Sequence, residues 1–270
     1  LVLTKNKKDV RLYINRIIQF SSIDEYRYHE TLGMLPMQNA RYKKNVLILG
    51  GGEGLLAREV LKFPQVETVT IIDLDEEVFK LARENIHLKT LNNGALLNPK
   101  VTTIAQDAMT FLIESENLYD VIIADLPDPS NDALARLYST SFYTLVQNHL
   151  TPSGIFATQA ASPFHTRNAF WCIKETIAAS GFENLYPFHT YVPSFGDWGF
   201  VIATNVKITP SDYEPILTTR YLSADLVKKM FFFPKDITHP GNLNVNKLDQ
   251  PNLLHYFLAD WEEFSKEVKN

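Results

Sequence analysis

The sequence predicts an α/β chain: an open, mainly parallel sheet with helices on both faces, preceded by a small N-terminal β-hairpin. Three observations carry this. From Val46 onward, short apolar runs alternate with amphipathic ones, the pattern of strand–helix–strand units. A glycine-rich loop, Gly50-Gly51-Gly52-Glu53-Gly54, lies directly between a strand and a helix. A β-branched run, YDVIIADLPDP at 119–129, reads as a central strand and leads straight into Asp125 and Asp128.

Taken in order, LVLTK and VRLYI are β-rich and flank the polar turn Asn6 to Asp9, a hairpin signal. Asp24-Glu25-Tyr26 opens a helix expected to run through Gly33, with acidic residues at the positive end of its dipole. VLILG at 46–50 is a strand, and LLAREVLKF is a helix with Leu56, Val60 and Phe63 on one face. VTII is the second strand, and Asp75-Glu76-Glu77 opens the next helix. VTTIA, VIIAD and GIFATQ are further strands, and 185–191 and 198–203 are two closing strands around the loop VPSFGDWGF. Residues 206–270 are aromatic-rich and are expected to be helices packed on the main body, with Ser223 as an N-cap and Pro234 as a stop. The expected divisions are 1–35 for the hairpin and a gate segment, 36–205 for the catalytic sheet, and 206–270 for a helical extension.

With 270 residues and 45% hydrophobic content, the chain can bury a full core, and disorder is excluded. A net charge of −5 gives no electrostatic case for nucleic acid. Cys172 is the only cysteine, so no intrachain disulfide forms and a reducing, cytoplasmic compartment is expected; its apolar helical setting makes it a core residue. No apolar run reaches the roughly 18 residues of a membrane helix. The histidines show no HxxxH spacing and there is no CxxC, so no metal is expected. The chain opens on Leu1 rather than Met, which suggests a portion of a longer protein.

Strand ends carry the chemistry. Ligands of open α/β sheets bind beyond the carboxyl ends of the strands. Asp125 sits at such an end, and an acidic pair with Asp128 suits a cationic amine; an Asp that merely caps a turn is the bland alternative. Asp73 follows Gly54 by 19 residues at the end of the second strand, the place of an acid that grips a ribose diol. Asp107, in AQDAM, ends a third strand within reach of an adenine amino group. Glycines in the loop let backbone approach a ligand, so Gly50, Gly52 and Gly54 join these acids in a nucleoside pocket of a Rossmann-like, methyltransferase-type sheet.

The glycine loop has no Lys-Ser/Thr pair, which excludes a P-loop. Glu53 would repel a pyrophosphate but tolerates an adenosyl sulfonium. If that sulfonium ends in an aminopropyl chain without the methionine carboxylate, Glu53 can bind its ammonium. This favours decarboxylated S-adenosylmethionine as a co-substrate, with no permanently bound cofactor.

The chain resembles the spermidine synthase family, the polyamine aminopropyltransferases. The resemblance rests on IIQFSSIDEYRYHE at 17–30, VLILGGGEG at 46–54, Asp73, AQDA at 105–108, YDVIIADLPDP, FY at 142–143 and TYVPSFGDWGF at 190–200, in the family's order. RYL at 220–222, MFFFP at 230–234 and VNKLD at 245–249 resemble the cytosolic half of membrane-anchored bacterial members. The resemblance implies Asp125 as the proton acceptor and Asp128 as a holder of the amine. It implies Tyr28, His29 and Gln19 around the polyamine, and Glu53 on the aminopropyl ammonium. Asp73 would bind the ribose and Asp107 with Ala108 the adenine, while Tyr191 and Trp198 would lie in a loop closing over the amine. Departures are Glu53 for the usual Asp, Asn131-Asp132 for Gly-Pro, TYVPSFG for the shorter PTYPSG, and no counterpart of an upstream Tyr-Gln element.

The implied reaction is transfer of a 3-aminopropyl group to a primary amine such as putrescine, releasing methylthioadenosine. An S-adenosylmethionine-dependent amine N-methyltransferase and a non-catalytic ligand-sensing domain are the alternatives. Implied partners are a small polyamine, an upstream membrane domain and a second copy in a homodimer, which places the chain on the cytosolic face of a membrane.

Overall fold

A computed structural model describes residues 1–267. The N-terminal unit is a three-stranded antiparallel sheet rather than a hairpin: β1 (Val2–Lys5), β2 (Val10–Ile14) and β3 (Ile17–Ser21), in that order. The third strand was not anticipated because Asn15 and Arg16, not glycine, take the positive φ angles of the tight β2–β3 turn. Asp9 ties this sheet together, accepting from the Ser21 and Ser22 hydroxyls at 2.9 and 3.0 Å.

Helix α1 (Glu25–Asn39) follows and runs well past the expected stop at Gly33, so the expected boundary at 35–36 falls inside it. Gly33 is a contact, not an end: a Cβ there would meet Leu56 Cδ1 at 3.0 Å on the neighbouring helix. The main sheet then builds from β4 (Asn45–Gly50), α2 (Leu55–Val60), β5 (Thr68–Asp73), α3 (Glu76–Glu84), α4 (Ile86–Leu91), β6 (Val101–Ala105), α5 (Ala108–Glu114) and β7 (Tyr119–Asp125). It continues through α6 (Asp132–Ala135), α7 (Thr140–Asn148), β8 (Leu150–Gln159), α8 (Arg167–Ala179), β9 (Asn184–Val192) and β10 (Gly196–Thr204). The strand order is β6-β5-β4-β7-β8-β10-β9. Five strands are parallel, while β10 is antiparallel to both β8 and β9, so the sheet is mixed.

β4 and β7 are the central pair, and alternate residues feed two cores. Val46 and Ile48 of β4 enter one core with Leu32 and Leu56, whereas Leu47 and Leu49 enter the other with Phe142 and Phe170. Burial on both faces explains the near-continuous apolar runs of these strands. Their register places Gly50 opposite Asp125, so the glycine loop and the acidic loop leave the sheet side by side.

Beyond β10 lie only two helices among the described residues, α9 (Ala224–Met230) and α10 (Asn252–Glu267). The rest of the extension is irregular chain instead of the expected helices. Ser223 does cap α9, accepting from the Leu226 N–H, but the helix ends at Met230, ahead of Pro234. Buried Glu30 of α1 accepts N–H bonds from Arg220, Tyr221 and Leu222 at 2.7, 2.8 and 3.4 Å. Those three backbone donors are satisfied by a side chain, so the segment has no need of a helix. No helix among the described residues is long and apolar enough to cross a membrane.

Candidate active site

The site forms where the carboxyl ends of β4, β5 and β7 meet the N-terminal half of α1. Gly50 has φ +85°, and a Cβ there would sit 2.0 Å from the Asp125 carbonyl oxygen. Only glycine lets the two loops run this close. At Gly52 a Cβ would sit 2.7 Å from an Asp73 carboxylate oxygen. With no side chain there, the Gly52 N–H donates to Asp73 at 3.0 Å, which holds the loop against the strand-end acid. Gly54 caps α2 in the left-handed conformation, and the Asn92 amide donates to the Glu53 carbonyl at 2.9 Å.

Asp125 accepts a hydrogen bond from the Tyr28 hydroxyl at 2.6 Å. Beside Tyr28, His29 is clamped as a cation: its Nδ1 lies 2.8 Å from both the carbonyl and a carboxylate oxygen of Glu25, one helical turn earlier. Its Nε2 faces Glu53 Oε1 at 3.6 Å. Burial works against a charged imidazole, but Glu25 and Glu53 outweigh it and lift His29 to about 10. Glu25 is likewise opposed by burial, yet His29 and Arg58 pull it down to about 2.

The strand-end acids move the other way. Burial and then the Glu53 charge raise Asp125 to about 6. Burial raises Asp73 to about 6, against the N–H bonds from Asp75 and Gly52. Asp128 goes up to about 7, because burial is relieved only by a long 3.5 Å contact from the Gln159 amide. Together these carboxylates make a pocket short of positive charge. Glu53 Oε1 is buried with no donor within hydrogen-bond distance; the His29 Nε2 that faces it stands off at 3.6 Å. His29, Glu53 and Asp125 also offer ligand atoms within 4.8 Å of one another.

Other expected residues fall further from this cluster. Asp107 caps α5, accepting from Thr110 N–H at 3.0 Å, and is paired with Arg136. It therefore does the structural work of a cap while standing at the expected strand end, with Ala108 buried behind it. Gln19 lies on β3 and donates to the Ile17 carbonyl at 3.2 Å. Trp198 is on β10 and packs on Phe195 at 5.1 Å, which in turn meets Tyr28 at 6.2 Å. Tyr191 pairs with Asp197 across the hairpin, one position out of phase with Trp198 and Thr190. Strand alternation thus puts Tyr191 and Trp198 on opposite faces. Tyr191 is exposed, and the structure does not bring its ring to the cluster. Both are strand residues; the turn itself is only 193–195.

Several supporting residues escaped the sequence reading. Gln159, at the end of β8, donates to the Leu126 carbonyl at 2.8 Å and to the Tyr138 hydroxyl. Tyr138 donates toward the Pro127 carbonyl at 3.0 Å, so the pair fixes the loop carrying Asp128. The strand-end rule that singled out Asp125 would have found Gln159. Arg58, bidentate to Glu25 at 2.9 Å, sits in an amphipathic helix and carried no sequence signal.

The profile of the spermine/spermidine synthase domain matches residues 25–211. The chain belongs to that family. It is 44% identical over 269 residues to a polyamine aminopropyltransferase of Oceanobacillus iheyensis, covering 98% of this chain and 52% of the relative. A polyamine aminopropyltransferase of Leptospira interrogans is 41% identical over 97% of this chain and 52% of its own length. The chain thus spans about half the length of the curated relatives it matches. A spermidine synthase structure from Thermotoga maritima superposes with a TM-score of 0.76 at 25% identity, covering 87% of this chain and 84% of that one. A spermidine synthase in complex with the transition-state analogue AdoDATO has a TM-score of 0.77 at 24% identity, over 87% and 85% of the two chains.

Proposed function

We propose that the protein transfers the 3-aminopropyl group of decarboxylated S-adenosylmethionine to a primary amine such as putrescine. The observation that carries this is the buried Glu53 oxygen without a donor, set between His29 and Asp125 in a pocket of unmatched carboxylates. An aminopropyl ammonium supplies the missing donor and charge. The methionine carboxylate of intact S-adenosylmethionine would be repelled there, which disfavours an amine N-methyltransferase.

In the reaction the acceptor nitrogen attacks the methylene carbon on the sulfonium sulfur. A C–N bond forms, the C–S bond breaks, and its electron pair returns to sulfur, releasing neutral methylthioadenosine. No acid is needed for that leaving group. The acceptor, with an amine pKa near ~10.4, arrives largely protonated and must lose a proton to react. Asp125 takes it, and the Tyr28 hydroxyl fixes which carboxylate oxygen remains free to do so. Asp128 anchors the distal ammonium, while Asp73 and the glycine loop hold the nucleoside. Trp198, through Phe195, walls the amine side; Gln19, Tyr191, Asp107 and Ala108 remain assigned by resemblance. A cytoplasmic location, a homodimer and an upstream membrane domain belong to the same proposal.

The test is calorimetric binding of decarboxylated against intact S-adenosylmethionine, with a transfer assay to putrescine. The decarboxylated sulfonium should bind more tightly. Glu53→Gln should weaken it by about tenfold or more, the scale of one hydrogen bond to a charged group. Equal or tighter binding of intact S-adenosylmethionine by the wild type would overturn the reading in favour of methyl transfer.

A further inference from the structure

We infer that Asp24 is a positioning residue that latches the β9–β10 turn shut beside the amine subsite and so controls acceptor binding. The inference rests on the aminopropyl-transfer reading above. Asp24 occupies the N-cap position of α1, where an aspartate would ordinarily accept a helix N–H. Its side chain makes no such bond. Both oxygens turn away from the helix, one accepting the Ser194 N–H at 2.6 Å and the other the Ser194 hydroxyl at 3.0 Å. Asp24 is only 3% exposed, so this ion-assisted pair is shielded from water.

Ser194 is the middle of the three-residue turn 193–195. Its neighbour Phe195 closes the turn, donating its N–H to Val192 at 2.8 Å, and lays its ring against Tyr28 and Trp198. Tyr28 in turn donates to Asp125. Asp24 therefore reaches the proposed base through a short continuous path: Ser194, Phe195, Tyr28, Asp125. A second tether from the same helix is weaker, with Arg27 donating to the Tyr191 carbonyl at 3.3 Å. Gly196, with φ +86°, is where the turn re-enters β10; a Cβ there would lie 2.6 Å from His165 Cε1. The turn thus has a glycine at its base and one carboxylate holding its tip, helped by the Arg27 bond to Tyr191 and the ring contact of Phe195.

A helix that forgoes its cap stabilises the turn at its own expense. That trade makes sense if the turn's position matters more than the helix end. An acceptor amine enters between Tyr28 and Asp128, so its affinity should depend on the turn staying closed. The nucleoside, assigned above to Asp73 and the glycine loop, should be indifferent to it.

Asp24→Ser separates these roles, because serine is a good N-cap but too short to reach Ser194. Three readouts decide: hydrogen exchange of the 194–196 amides, the KM for putrescine, and calorimetric affinity for methylthioadenosine. In Asp24→Ser the turn amides should exchange about tenfold faster or more, and the putrescine KM should rise by a similar factor. Methylthioadenosine affinity should stay within about twofold. Ser194→Ala, which keeps the backbone N–H, should show the same pattern at roughly a third of the size, and the double variant should not exceed Asp24→Ser. Unchanged turn exchange in Asp24→Ser overturns the latch. So does a parallel fall in amine and nucleoside affinity, which marks a general loss of structure. If the wild type transfers no aminopropyl group, the functional reading fails, and the exchange result still decides whether Asp24 holds the turn.

Discussion

Asp125 and Asp73 share a strand-end setting but differ in what surrounds them. Asp125 takes the Tyr28 hydroxyl on one oxygen and looks across the glycine loop at Glu53. Asp73 is bound by backbone N–H groups on both sides, from Gly52 and Asp75. The proposed roles follow from this difference: Asp125 as the proton acceptor, Asp73 as a holder of the nucleoside. Asp125→Asn keeps the shape and removes the charge, so turnover with saturating putrescine should fall by about 10²-fold or more. Methylthioadenosine affinity should barely change, since that product carries no amine. Asp73→Asn should reverse the emphasis, weakening the nucleoside first. Near-normal turnover in Asp125→Asn would remove it as the base. These acids were legible because strand ends are legible: β-branched runs stop, and a carboxylate follows. The clamp on His29 was not. It needs Glu25 from the previous helical turn and Arg58 from another helix, and no spacing in the sequence announces that meeting.

At the scale of elements, the parallel strands and their helices followed from periodicity, whereas the extension did not. Its irregular stretches are fixed by single polar anchors: Glu30 under 220–222, and Asn246, whose amide donates to the Ala135 carbonyl at 2.8 Å. Composition records aromatic richness but not such anchors. Helix α8 shows the same division of labour. Its N-cap residue, Thr166, makes no side-chain cap. Asp260 of α10 supplies one instead, accepting from the N–H groups of Asn168 and Ala169 at 2.9 and 3.1 Å. A cap borrowed across the chain ties the extension to the main sheet. Asp260→Ala should therefore destabilise the fold by about 1–2 kcal/mol, measured by denaturant unfolding. Methylthioadenosine affinity should be untouched, because the Asp260 carboxylate bonds Asn168 and Ala169 and not the glycine loop or Asp73. A loss of less than a few tenths of a kcal/mol would mean that α10 contributes by apolar packing alone.

For the whole molecule, the site's charge arrangement should be visible as a pH dependence of stability. Asp73, Asp125 and Asp128 have folded pKa values raised to about 6, 6 and 7 by burial. A raised carboxylate binds its proton more tightly when folded, so stability falls as pH rises from the unfolded value of about 3.9 through the folded one. His29, raised to about 10 by Glu25 and Glu53 despite its burial, stabilises fully below its unfolded value near 6.5. That contribution is lost as pH climbs to about 10. Glu25 acts in the opposite sense: held near 2, its contribution is complete above the unfolded value and lost only in acid. These groups together place their combined maximum in acid, between about pH 3 and pH 4, with stability falling as pH rises through the carboxylate values and again toward that of His29. The ligand-free protein thus carries a cost at neutral pH that an incoming ammonium would relieve. Asp128→Asn removes one of those buried charges while keeping its shape. Its unfolding midpoint should match the wild type near about pH 4, exceed it increasingly up to about pH 7, and stay higher by a constant margin above. Turnover should fall in the same variant, since the distal ammonium loses its anchor. A wild-type midpoint higher at about pH 8 than at pH 5, or an Asp128→Asn midpoint below wild type at pH 8, would show that these carboxylates are relieved in the free protein and that the pocket is not short of positive charge.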